Sequence, residues 1–290
     1  SMCNATNSLD FSIMERTAFT KMYKKAKEKG TEAISMEYDI PQEEVEVLLP
    51  SLIVLNRLLK YTVNDSILLS NVLLSDAVMF EMLFPKEASF VVKAYEEFTL
   101  QSATSIAERF GRDLDHISRV SSVALEIYDK MKKLHGYKLR ERTLLQVSAI
   151  LQDIGKYVNV KNHALLSYNT ITNLDIVGIN DHERLIIATV CYYHNGNIPS
   201  MDSPIYNQLS QEDRVMVSKL AAILQISNAI NTSHSPKFEQ VNVNMKNGKL
   251  NIYLTTLKNI NLEKWAFIAK SKLFREVYGL NATIIKRGVL

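Results

Sequence analysis

Leu151-Gln152-Asp153-Ile154-Gly155-Lys156 closes a helix that starts near Arg140, and its surroundings settle the fold class. Upstream, Asp115 to Leu134 carries apolar residues at helical spacing (Ile117, Val120, Ala124, Ile127, Met131, Leu134) and stops at Gly136. Earlier still, Ser102 to Phe110 reads as a helix closed by Gly111. Downstream, Asn180 with Glu183 is a capping-box pattern opening a helix to Tyr193. Ser210 with Asp213 opens another, to about Asn231. Residues 85–235 therefore read as almost entirely helical, and the chain as mainly α.

The flanks read differently. Residues 9–30 predict an amphipathic helix ended by Gly30, and Pro41 opens a second one that Pro50 should bend or restart. Ser66 to Val72 is a strand candidate, followed by a helix to about Leu83. Pro85-Lys86-Glu87 marks a boundary. Beyond residue 236, Val241 to Met245 and Leu250 to Leu254 alternate around Asn247-Gly248, a strong two-residue hairpin signal. A helix from Glu263 to Tyr278 and a last strand, Ala282 to Ile285, complete a ββαβ unit. The expected domains are 1–84, 85–235 and 236–290.

Composition excludes several classes. The 290 residues are 47% hydrophobic and 22% charged, which suits a soluble globular chain. Nine glycines and six prolines leave few helix breakers. A net charge of +3 does not argue for nucleic acid, and no apolar run reaches a membrane span. Cys3 and Cys191 form neither a disulfide framework nor a zinc knuckle, so reduced thiols and a cytoplasmic setting are expected. A serine before Met2 reads as a tag-cleavage scar, which places the expected native start elsewhere.

Five of the six histidines lie in the helical stretch: His116, His135, His163, His182 and His194. The order of His116, then Gln152-Asp153, then Asn228 resembles HD-type metallohydrolases, in which a His, a His-Asp pair and a late Asp gather cations. Imidazole and carboxylate suit divalent metals, and a bound cation would turn water into a nucleophile. Here Gln152 and Asn228 stand where charged or imidazole ligands belong. Only His116 and Asp153 remain of that set, too few for a tight site, so no metal or other cofactor is expected. Magnesium or manganese would enter only if an active site survived on those two, with His163 and His194 recruited. His135 and His182 read as solvent-exposed. Arg109, Arg112, Arg119, Lys156 and Lys161 could line a polyanion groove, because guanidinium forks and ammonium point charges both suit phosphate.

The run Gln152 to Tyr157, His163, Ser167-Tyr168-Asn169, Gly178-Ile179, Glu183-Arg184 and Tyr193-His194 is similar to the C-terminal domain of the exopolyphosphatase / guanosine-pentaphosphate phosphohydrolase family. Leu220 to Leu224 with Ser233-His234, and Leu262-Glu263-Lys264-Trp265 with Leu273-Phe274 and Tyr278-Gly279, extend the likeness. Leu48 to Val72 looks like the end of that family's second actin-like, sugar-kinase-like domain. Leu166 and Ala77 depart from the family pattern.

The resemblance implies a partial actin-like segment, an HD-like helical domain and a terminal α+β unit, and Trp265 is expected to anchor the tail helix on the HD-like bundle. It also implies polyphosphate or another phosphate-rich polyanion as partner and a homodimer; among the residues read above, Arg119, Lys156, His163 and His194 are the expected phosphate contacts. The family's phosphohydrolase chemistry belongs to an N-terminal actin-like half with Gly-rich phosphate loops, and no such loop occurs in these residues. Two other readings stand beside this one: a metal-dependent HD-type phosphohydrolase, and a regulatory interaction module without a ligand.

Overall fold

A computed structural model describes the chain except for residues 1–3, 6–10, 71–73, 84–88, 234–236, 239, 247 and 289–290. Pro85-Lys86-Glu87, His234 and Asn247 therefore lie outside the described residues. Two compact units emerge, Ser1–Ser89 and Phe90–Leu290.

In the first unit, β1 (Asn4–Ala5), β2 (Phe11–Glu15) and β3 (Ser66–Ser70) form an antiparallel sheet in the order β1-β2-β3. Residues 11–15 are thus a strand, not the start of a helix. The reason is non-local: Ser12 pairs with Leu69 and Ile13 with Leu68, so a partner over fifty residues away decides the conformation. Helix α1 (Arg16–Tyr38) follows and continues past Gly30, which breaks the helical geometry locally at φ 75° without ending the element. Arg16 fixes the strand-to-helix joint by donating to the carbonyls of Leu59, Thr62 and Asn64.

Helix α2 (Gln42–Leu59) runs through Pro50 as one element. Pro50 and Glu46 are both exposed, so water can satisfy the carbonyl that loses its N–H partner. Phe19, Ala26 and Ile34 of α1 pack on Val45 and Leu52 of α2. Helix α3 (Leu74–Leu83) ends the unit's regular structure.

The second unit is mainly helical: α4 (Ser89–Arg109), α5 (Leu114–Lys130), α6 (Lys132–His135), α7 (Leu139–Leu151), α8 (His163–Ile171), α9 (Asp181–Tyr193), α10 (Pro204–Asn207) and α11 (Gln211–Ile230). Strands β4 (Gln240–Lys246), β5 (Lys249–Thr255) and β6 (Asn281–Arg287) enclose α12 (Asn261–Tyr278). Helix α11 is the hub. From Leu220 to Ile230 its apolar residues are all buried, as a helix surrounded by neighbours requires, and α5, α7, α9 and α12 pack on it. The β4–β5 hairpin is antiparallel, and α12 carries the chain across so that β6 lies parallel to β5.

The caps agree with their sequence signals. Asn180 accepts from the Glu183 N–H while Glu183 reaches back to the Asn180 N–H, and Ser210 accepts from the Asp213 N–H. Gly136 closes α6 in the left-handed conformation at φ 73°. Among the described residues, no helix is long and apolar enough to cross a membrane.

Two side chains depart from expectation. His135 is buried, not solvent-exposed. The α6 turn folds its ring against Tyr128 and Tyr137, with Nε2 donating to the Tyr128 carbonyl at 2.8 Å and Nδ1 accepting from the Tyr137 N–H at 3.0 Å. Trp265 is 72% exposed, so it does not anchor α12; Ala266, Phe267, Leu273 and Phe274 face the core instead.

Candidate functional site

Helix α7 ends at Leu151, and the next residues turn sharply so that Asp153 starts a 3-10 turn over Ile154–Tyr157. This turn lies hard against the start of α8. A Cβ on Gly155 would meet the His163 carbonyl oxygen at 2.2 Å and the Ser167 nitrogen at 2.5 Å, so only glycine fits. Ser167 locks the junction: its hydroxyl accepts from the Gly155 N–H at 2.9 Å and donates to the Gln152 carbonyl at 2.8 Å.

Asp153 is held here at 6% exposure. Its Oδ2 takes the Lys156 ammonium at 2.7 Å, while its Oδ1 faces two imidazoles, His194 Nε2 at 3.3 Å and His163 Nε2 at 3.6 Å. The three facing atoms lie within 4.8 Å of one another, and all three residues are buried. Each ring is oriented through its other nitrogen. His163 Nδ1 donates to the Val160 carbonyl at 2.8 Å, and His194 Nδ1 donates to the Cys191 carbonyl. With Nδ1 committed to a backbone carbonyl, Nε2 is the atom that each ring turns to Asp153.

The charges follow from this packing. Burial opposes ionisation of Asp153, but the His194 ring and the Lys156 ammonium outweigh it and hold the carboxyl well below the usual range. Burial, and the neighbouring His194, push His163 down towards its neutral form. Burial pushes the Cys191 thiol well up, and Asp153 adds to the effect; the thiol donates to the Ser148 carbonyl. Burial also lowers the Lys270 ammonium of α12, which feels both Asp153 and Lys156.

A cleft of about 160 Å³ opens beside Asp153, lined by Gly111, Arg112, Asp113, His116, Ile117, Asp153 and Lys156. Asp113 caps α5 by accepting from the Asp115 and His116 N–H groups. Arg112 donates to the carbonyls of Phe110 and Asp153. His116 Nδ1 accepts from the Asn231 amide at 2.8 Å.

The structure therefore brings Asp153, Lys156, His163 and His194 together, with His116 on the adjoining wall. Arg119 lies one turn further along α5, outside the cleft lining, and its Nε is buried without a hydrogen-bond partner. Arg109 and Lys161 are exposed. Gln152 is buried, with neither side-chain atom hydrogen-bonded. Asn228 is half-buried, and the residue that meets His116 is Asn231, one turn later. An HD-type ligand set therefore does not fit: the late partner of His116 is an amide donor, and Gln152 offers no imidazole. Lys270 was not singled out by the sequence, because α12 lies far from Asp153 along the chain and comes under the influence of Asp153 and Lys156 only in three dimensions.

A family model described as Ppx/GppA phosphatase, domain III, matches residues 100–273. The chain belongs to the Ppx/GppA phosphatase family. The matched span takes in α5, the Asp153 turn, α8, α9, α11 and most of α12, so every residue of the candidate site lies within Ppx/GppA domain III.

Proposed function

We propose that this domain III holds a phosphate-rich polyanion, in the first place inorganic polyphosphate, and does not itself break the phosphoanhydride bond. The observation that carries the reading is the cation cluster around one buried carboxylate. Lys156 bonds to the Asp153 carboxylate, Arg112 donates to the Asp153 backbone carbonyl, and both cations line the cleft. Asp113 is turned to the α5 N-terminus as its cap, so an anionic oxygen entering the cleft would meet the Lys156 ammonium and the Arg112 guanidinium. Guanidinium and ammonium groups are suited to phosphate. In this reading Lys156 and Arg112 contact the chain directly, and His116 contributes from the cleft wall. His163 and His194 hold Asp153 from behind.

The reading extends to the remaining architecture. The helices over 85–235 serve as an HD-like scaffold whose metal chemistry is lost at Gln152 and Asn228. Residues 1–84 are part of an actin-like domain, and 236–290 form a terminal α+β unit. The protein acts in the cytoplasm as a homodimer, extending the track along which polyphosphate lies. Family resemblance supports these points.

Fluorescence anisotropy with end-labelled polyphosphate tests this reading. Arg112→Ala combined with Lys156→Ala should weaken binding about tenfold or more, of the order expected for losing two charge-assisted contacts. Equal affinity in the double variant and the parent would overturn it.

A further inference from the structure

We propose that Asp153 Oδ1, His163 Nε2 and His194 Nε2 form a binding site for one divalent transition-metal ion of the zinc, cobalt or manganese class. This goes beyond the polyanion reading and does not depend on it.

The distances favour ligation over direct hydrogen bonding. A charged N–H···O bond between imidazole and carboxylate closes to about 2.7–2.9 Å. The observed separations are 3.3 and 3.6 Å. An ion bound at about 2.0–2.1 Å to each of two atoms in tetrahedral geometry holds those atoms about 3.3–3.4 Å apart. Both imidazole nitrogens thus stand from Asp153 Oδ1 close to the separation of two ligands that share one ion.

Their orientation agrees. Both Nδ1 atoms are committed to backbone carbonyls, those of Val160 and Cys191. That is the outer-shell arrangement that fixes a ligand tautomer and turns Nε2 to an ion. The Lys156 ammonium sits on Oδ2, at 2.7 Å, and leaves Oδ1 to the imidazoles. It orients the carboxylate as a single-oxygen ligand and does not fill the space between the three donors.

The donor set also selects the ion. Two imidazoles and one carboxylate match zinc and neighbouring transition metals, while magnesium and calcium prefer an all-oxygen shell. Cys191, close in sequence to His194, is no candidate ligand, since its thiol donates to the Ser148 carbonyl. Three protein ligands leave at least one coordination position for water or an anion oxygen. The ion's charge would add to the cationic side of the cleft that Asp153 also lines.

The triad shares Asp153 with the HD-like order but takes its other two donors elsewhere. His116 lies outside the triad, with Nδ1 bonded to Asn231, and Gln152 and Asn228 supply no ligand.

The full chain, stripped with a chelator, would be titrated with cobalt(II) and followed by its visible d–d absorption, then with zinc by calorimetry. About one ion per chain should bind, and the cobalt bands should report four or five ligands including imidazole. His163→Gln with His194→Gln should abolish the bands and the calorimetric signal. His116→Gln should leave both unchanged. Circular dichroism of the double variant separates loss of ligands from loss of fold, and Asp153→Asn gives a second, smaller perturbation that should also remove the metal. No binding by the folded parent, or undiminished binding by the folded double variant, would overturn the site. Polyphosphate anisotropy on the chelator-treated chain keeps the two ideas apart: binding that persists without metal supports the polyanion reading whatever becomes of the metal site.

Discussion

Asn231, at the C-terminal end of α11, donates its side-chain amide to Nδ1 of His116 in the first turn of α5, 2.8 Å away. The two residues are 115 positions apart and both are buried. This bond places the remaining proton of the neutral ring on Nε2 and ties the cleft wall to the central helix. Replacing Asn231 with Ala leaves a buried nitrogen without this donor, at a cost of about 1–3 kcal/mol. Denaturant unfolding should show a lowered midpoint with unchanged slope. Replacement by Ala without any loss would show that the bond is not holding the wall.

Gly155 should tolerate no side chain. Gly155→Ala drives a methyl into the His163 carbonyl and the α8 backbone, neither of which is a flexible side-chain end. Overpacking of this kind costs about 1–3 kcal/mol. The displacement should also separate His163 from Asp153. Thermal unfolding of the variant checks the stability, and nitrogen chemical shifts of the His163 ring check the geometry.

Glu183 predicts an acid-sensitive step. Burial alone would raise its pKa, but Arg140 at 2.6 Å and the Asn180 N–H outweigh it and hold the carboxyl below its ordinary value of 4.5. A depressed folded-state pKa contributes stability above the unfolded value, and that contribution disappears as pH falls through the folded one. Unfolding free energy should therefore fall with pH below about 4.5, with Glu183 supplying part of the slope. Glu183→Gln should lower stability at pH 7 by about 1 kcal/mol, the usual worth of a cap, and flatten the slope in that window. Chemical denaturation at pH 7, 5 and 3.5 tests both.

Trp265 is the single tryptophan and is mostly exposed. Its emission should be red-shifted and readily quenched by acrylamide in the native protein. Trp265→Ala should change stability by no more than about 0.5 kcal/mol, as for other surface substitutions. A blue-shifted, protected fluorophore would mean that α12 is covered on that face.

Local signals carried the helical half of the fold far. The capping boxes, the Gly136 stop and the even periodicity of α5 depend on near neighbours, and residues three or four apart can state them. Strand β2 was not legible in that way, because its partner β3 lies across two helices in sequence. His135 looked like a polar residue in a lysine-rich stretch; only the turn that folds it between Tyr128 and Tyr137 buries it. In the candidate site, Asp153 and His116 announced themselves by order, but the order pointed to Asn228. One further helical turn puts Asn231 on the face that meets His116. The convergence of His163 and His194 on one carboxylate oxygen could not be read from spacing, since it depends on how α8 and α9 dock beside the Asp153 turn.

The central claim is that the cleft beside Asp153 binds phosphate-rich chains by charge. The most direct test is the dissociation constant of polyphosphate measured from about 50 to 500 mM salt, where the screening length shrinks from beyond 10 Å to a few ångströms. The account predicts affinity that falls steeply and linearly on logarithmic axes, with a shallower slope in Arg112→Ala and in Lys156→Ala. Affinity that is flat with salt, or a slope unchanged in both variants, would contradict it.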